Sequence, residues 1–123
     1  MKKHLLIIGD VAAILVLTVV GFATHGETDA SFLPRAVVMF VSHLTGWFLL
    51  APAMGLFGVD AAREGNPLWR PALTGFFAAQ FAVTMRGLLL QSDVSPLFAL
   101  VLGGTAAIGM TLWRFIFAKL TRQ

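Results

Sequence analysis

Asp10 and Arg114 are charged residues inside long apolar runs, where ionisable side chains are costly and usually have a function. A carboxylate in such a place can carry a proton or a cation, or it can pair with a cation and hold two helices together. At a helical rise of about 1.5 Å per residue, Asp10 lies about 8 Å and Arg114 about 6 Å inside the same end of their helices. Matching depth and opposite charge predict an ion pair. We favour this structural role over proton transfer, with Arg70 as the alternative partner of Asp10.

His43 and Gln80 both fall about 15 Å from the starts of their helices, which places them near the middle of the apolar runs. An interhelical hydrogen bond between them would fix the register of two helices, and we expect that role. The alternative is a titrating His43 on a proton path. The three histidines His4, His25 and His43 lie at three different depths, so the sequence does not predict a shared metal site.

Arg35, Arg86 and His25 lie close to the opposite ends of the apolar runs. Long basic side chains in such positions commonly extend to the membrane interface, where headgroups or loop carboxylates neutralise them. The alternative is that these three residues form a small rim that binds anions. We favour the interfacial role, since the neighbouring loops carry suitable acidic residues, namely Glu27, Asp29 and Asp93.

The composition excludes several classes of protein. In 123 residues, 58% are hydrophobic and 12% are charged, which a soluble domain of this size cannot hide in its core. A formal charge of +3, with scattered basic residues, does not indicate nucleic-acid binding. The absence of cysteine excludes disulfides and thiolate chemistry. No combination of residues typical of a catalytic site is present, so we expect a protein that is not an enzyme and needs no cofactor.

The pattern predicts an all-α bundle of four transmembrane helices in one domain, residues 1–123, with short loops. A helix crosses the hydrocarbon core in about 20 residues. Pro52 either kinks the second span or starts a looser last turn before Gly55. The predicted spans are approximately residues 5–23, 33–57, 71–90 and 96–118. The first span could instead be a cleaved signal peptide, but Asp10 inside its apolar run favours a retained helix.

Most lysines and arginines fall on the side that holds both chain termini, which predicts that both termini are cytoplasmic. The residues on that side are Lys2, Lys3, Arg63, Arg70, Arg114, Lys119 and Arg122.

Short motifs along nearly the whole chain resemble domain of unknown function family 3054, a family of bacterial and archaeal membrane proteins. The resemblance implies four spans, location in the plasma membrane of a prokaryote, and no established activity. The motifs are Gly9-Asp10, Gly21 through Gly26, Pro34, Gly46-Trp47, Ala51-Pro52, Trp69-Arg70-Pro71 and Arg86 through Leu90.

Two hypotheses for function follow. Stripes of small residues, such as Gly75, Ala79 and Ala82, are typical of helices that pack closely in lipid. They favour a non-catalytic protein that acts in the bilayer by helix packing, as a homo-oligomer or as an accessory subunit of a membrane-protein partner. The alternative is a small transporter or channel for protons or small anions. It would use Asp10 and His43 as titrating groups, with the arginine rim at its outer end.

Overall fold

The structure is a computed structural model that describes residues 2–24, 30–65, 67–91, 93 and 95–121. Within these ranges every regular element is helical, and four helices are long and apolar enough to cross a membrane. The elements in chain order are α1 Lys2–Thr24, the 3₁₀ turn Ala30–Phe32, α2 Leu33–Leu50, α3 Val59–Glu64, α4 Trp69–Leu90 and α5 Pro96–Thr121. The four long helices are α1, α2, α4 and α5, and α3 is a short helix between α2 and α4.

Helix α4 lies between α2 and α5 and makes the most extensive contacts with both, while α1 packs against α5 and α2. Glycines allow these close approaches. A Cβ on Gly46 of α2 would lie 3.0 Å from the Ala78 carbonyl oxygen of α4, and one on Gly75 of α4 would lie 2.9 Å from the Ala106 carbonyl oxygen of α5. The predicted stripe on α4 is buried at Gly75, Ala79 and Ala82. Small residues therefore set the spacing of these helices.

Helix α2 ends at Leu50, so the prediction of a second span to residue 57 was wrong. Pro52 lacks the backbone N–H that would continue the helical hydrogen bonds, and residues 51–57 form a series of tight turns instead. Within these turns the Leu56 N–H donates to the Ala51 carbonyl, and Gly55 adopts a left-handed conformation with φ 71°. Of the two expectations for Pro52, a kink or a looser last turn, the structure shows the looser last turn.

Helix α3 occupies part of the segment that we expected to be a loop. Gly58 precedes it, Asp60 lies in its first turn, and Gly65 ends it with φ 94°. Buried Ala62 packs with Leu6 of α1 and Phe117 of α5. A helix of six residues is too short to show the apolar periodicity by which the long helices were predicted.

Candidate functional site

Asp10 and Arg114 form a buried ion pair, as their depth predicted. The Arg114 Nη2 lies 2.7 Å from Asp10 Oδ2, and Arg114 Nε donates to Asp10 Oδ1 at 2.9 Å. Asp10 is 0% exposed and Arg114 is 4% exposed. The pairing is bidentate, the geometry in which a guanidinium matches a carboxylate best. Arg70, the alternative partner, lies instead with its guanidinium 5.5 Å from the centre of the Trp69 ring.

Two tryptophans complete this arrangement, which we call the Asp10 cluster (Asp10, Trp47, Trp113 and Arg114). Trp47 Nε1 donates to Asp10 Oδ2 at 3.0 Å, and Trp113 Nε1 donates to Asp10 Oδ1 at 2.8 Å. Each carboxylate oxygen therefore accepts one hydrogen bond from an indole and one from the guanidinium. Sequence reasoning did not assign the tryptophans this role. The available signal was Trp47 deep in an apolar run, since a buried indole N–H requires an acceptor.

The third donor of Arg114 ties the cluster to the turns after α2. Arg114 Nη1 donates to the Leu56 carbonyl oxygen, and the guanidinium lies 5.6 Å from the Trp47 ring centre and 5.8 Å from that of Phe57. The cluster thereby joins α1, α2, α5 and residues 51–57 through polar contacts at one level of the bundle.

Four donated hydrogen bonds use the acceptor capacity of the Asp10 carboxylate, which is about four lone pairs. A proton on either oxygen would displace one of these donors. The geometry therefore suits a fixed carboxylate that holds helices together better than a carboxylate that exchanges protons.

A cavity of about 420 Å³ lies at the other end of the bundle, and we call it the Arg86 cavity. All four long helices contribute to its wall. The residues that matter for its chemistry are Leu17 of α1, His43 of α2, Arg86 of α4, Phe98 and Leu102 of α5, and Asp93 of the α4–α5 connection.

His43 and Arg86 line this cavity, and each has a buried side-chain nitrogen with no hydrogen-bond partner among the residues that the structure describes. His43 is 1% exposed, and its unpartnered atom is Nε2. Arg86 is half-buried, and its unpartnered atom is the buried Nε. The Arg86 guanidinium lies 5.7 Å from the centre of the Phe98 ring. Since buried polar atoms are nearly always hydrogen-bonded, these two nitrogens mark the cavity as a candidate binding site.

The predicted hydrogen bond between His43 and Gln80 is wrong. Gln80 Nε2 donates to the Ala99 carbonyl oxygen of α5 at 2.8 Å, and the absent side chain of Gly103 leaves the space for it. Ala78, which contacts Gly46 of α2, is two residues before Gln80 and therefore about 200° away around α4. Gln80 thus faces α5, whereas the α4 surface that meets α2 is built from other residues.

The three residues predicted for the outer rim have different outcomes. Arg86 lines the cavity described above, while Arg35 is exposed, with its guanidinium 5.5 Å from the Phe32 ring centre. His25 lies outside the described residues, as do Glu27 and Asp29. Asp93 is exposed and borders the cavity. The structure therefore groups Arg86 with His43, a combination that depth alone did not suggest.

The chain matches the model of a known protein family. The model of a family described as "Protein of unknown function (DUF3054)" matches residues 7–117, a range that contains the whole Asp10 cluster and the Arg86 cavity. No curated protein and no solved structure matches the chain.

Proposed function

The chain belongs to the DUF3054 family, and we propose that it is a non-catalytic integral membrane protein that acts by helix packing, in a homo-oligomer or as an accessory subunit. Its four long helices span the bilayer in this proposal. The side chains that they expose support it, since many are large and apolar. Examples are Ile8 and Val16 of α1, at 64% and 60% exposure, and Leu97 and Ile108 of α5, both at 72%. Lipid or a partner helix covers these faces.

The proposed orientation has both termini in the cytoplasm of a prokaryotic cell. The bias of lysine and arginine towards the end that holds the termini supports it. With this orientation the Asp10 cluster lies in the cytoplasmic half of the bilayer and the Arg86 cavity in the outer half.

The observation that carries the packing role is the complete pairing of Asp10. An unpaired carboxylate or guanidinium in a bilayer costs up to about 3 kcal/mol on insertion scales. Here the two charges meet in a bidentate pair, and two indoles from different helices supply the remaining donors. The strongest polar contacts of the described chain therefore serve to fix helices against one another.

Intact-mass analysis of the tagged protein tests this proposal, after extraction from its native membrane into nanodiscs. We expect a complex of fixed composition, made either of identical copies or of this chain with a second membrane protein in a constant ratio. An Asp10→Asn variant extracted in parallel should give less of the complex, because its bundle is destabilised. Monomers alone, at every protein-to-lipid ratio tried, contradict the proposal.

The Arg86 cavity favours a second candidate function, a small transporter or channel for protons or small anions. His43 and Arg86 would contact the transported species, and Arg35 would attract anions at the outer surface. Flux into liposomes separates the two candidates. In a transporter, Arg86→Gln removes anion flux and Asp10→Asn removes proton flux, whereas a packing protein shows no flux above that of empty liposomes in any variant.

A further inference from the structure

We propose that the Arg86 cavity binds an amphipathic monoanion, with an acidic headgroup at Arg86 and His43 and an apolar tail along Leu17, Phe98 and Leu102. This inference goes beyond the packing role and applies to an accessory subunit, a homo-oligomer or a transporter alike. It rests on four observations: the size of the cavity, its unpartnered nitrogens, the state of its other polar groups, and the position of its opening.

The size fits a small organic molecule. A volume of about 420 Å³ falls within the range of ligand sites, about 300–1,000 Å³, and far exceeds the space of one or two waters. The apolar part of the wall comes from α1, α2 and α5, and an exclusively aqueous content would leave those side chains in contact with water.

The unpartnered nitrogens specify the headgroup. A guanidinium nitrogen can only donate, so Arg86 Nε requires an acceptor, and His43 Nε2 can donate to the same group when it carries the proton. A carboxylate or a phosphate oxygen satisfies both and also offsets the Arg86 charge.

The threonine and serine hydroxyls of the wall already take part in hydrogen bonds. The hydroxyls of Thr18 and Thr105 donate to the carbonyls of Ile14 and Val101, each at the preceding helical turn. Ser95 Oγ accepts a hydrogen bond from the Phe98 N–H at the start of α5. Among the described lining residues, Arg86 and His43 therefore hold the buried nitrogens left to recognise a ligand, while the hydroxyl proton of exposed Ser95 is a further donor at the end of the bundle.

Asp93 sets an upper limit on the charge of the ligand. It is exposed at the border of the cavity, and among the described residues no ion pair joins it to Arg86. Its negative charge repels a second charge on the headgroup, which favours a monoanion over a dianion.

The opening explains why the ligand is amphipathic. Residues that line the cavity and are also exposed mark where it opens, and Val20 of α1 and Val101 of α5 are 50% and 58% exposed. The opening therefore lies partly between α1 and α5, on the apolar flank, and it extends to exposed Asp93 and Ser95 at the end of the bundle. In a bilayer, a molecule with a polar head and an apolar tail matches both parts.

Binding of octanoate to the protein in nanodiscs of neutral phosphatidylcholine tests the site, with acetate and octanol as probes that lack the tail and the charge. We expect octanoate to bind the wild type at least tenfold more tightly than either probe. Arg86→Gln should weaken octanoate binding at least tenfold, and Lys119→Gln, which removes an exposed cation at the opposite end of α5, should leave it unchanged.

Two further variants keep the test valid if Arg86→Gln folds poorly. Leu102→Phe fills the tail region without touching a charge and should weaken octanoate at least threefold, with little effect on acetate. Arg86→Lys retains the charge and should bind octanoate with intermediate affinity. Equal octanoate binding by the wild type and Arg86→Gln overturns the proposal, as does acetate or octanol binding as tightly as octanoate.

The source of the ligand is settled by mass spectrometry of lipids retained after purification in neutral detergent. An anionic lipid that is retained by the wild type and Lys119→Gln but lost from Arg86→Gln assigns the site to a membrane lipid. Octanoate binding without any retained lipid assigns it to a soluble amphipathic acid. A wild-type protein that retains no anionic lipid and does not bind octanoate overturns the proposal. None of these outcomes bears on the complex whose mass tests the packing role.

Discussion

The indole ring of Trp113 lies against the backbone of Gly9, in the space that a side chain at Gly9 would occupy. This contact brings Trp113 Nε1 to within 2.8 Å of Asp10 Oδ1, one residue further along α1. The Gly9-Asp10 pair thus has a physical explanation: the carboxylate accepts the indole hydrogen bond, and the glycine before it makes room for the ring.

Gly9→Ala should therefore destabilise the bundle by about 1–3 kcal/mol, the usual range for overfilling a packed core. The added methyl group displaces Trp113 and weakens its hydrogen bond to Asp10. Thermal unfolding in detergent measures the effect. Gly104→Ala is the control, because a Cβ there meets nothing within 4 Å. Equal melting temperatures for the two variants would show that the Gly9 contact does not matter.

Trp47→Phe keeps an aromatic ring in the core and removes the indole N–H that Asp10 Oδ2 accepts. We expect a loss of about 1.5–3 kcal/mol in the free energy of unfolding, the range for hydrogen bonds to charged groups. The matched control is Trp69→Phe, since Trp69 is 57% exposed and should change stability by less than about 0.5 kcal/mol. A Trp47→Phe variant as stable as this control would contradict the assigned role of Trp47.

Gly46→Ala and Gly75→Ala should each destabilise the protein, because the new methyl group meets a backbone carbonyl that cannot rotate away. The expected loss is about 1–3 kcal/mol for each variant. The two losses should add in the double variant, since one glycine lies between α2 and α4 and the other between α4 and α5. Unfolding of the three variants in the same detergent checks both statements. A single variant with wild-type stability would refute the close packing at its interface.

Distance along a helix can be predicted from the sequence, and it was sufficient to pair Asp10 with Arg114. Rotation around the helix axis cannot be predicted from depth alone, and for this reason His43 and Gln80, at similar depth, do not meet. Rotation is set by the small residues at each interface: Gly103 admits Gln80, so this side chain turns towards α5.

The parts of the site that were not predicted depend on several helices at once. Trp47 and Trp113 become hydrogen-bond donors to Asp10 only when three helices are in place. The Arg86 cavity is likewise a space left between four helices, and no local pattern specifies it. The end of α2 was within reach of the sequence, since Pro52 and Gly55 both favour the turns observed there.

The central claim is that Asp10 and Arg114 act together as a structural pair, and a double-mutant cycle of unfolding free energies tests it most directly. We predict that Asp10→Asn and Arg114→Gln each cost about 3–5 kcal/mol, because each leaves a buried charge without its partner. The double variant should be more stable than the sum of these losses predicts, by at least about 1 kcal/mol, since it restores neutrality. Additive losses, or an Asp10→Asn variant as stable as the wild type, would contradict the claim.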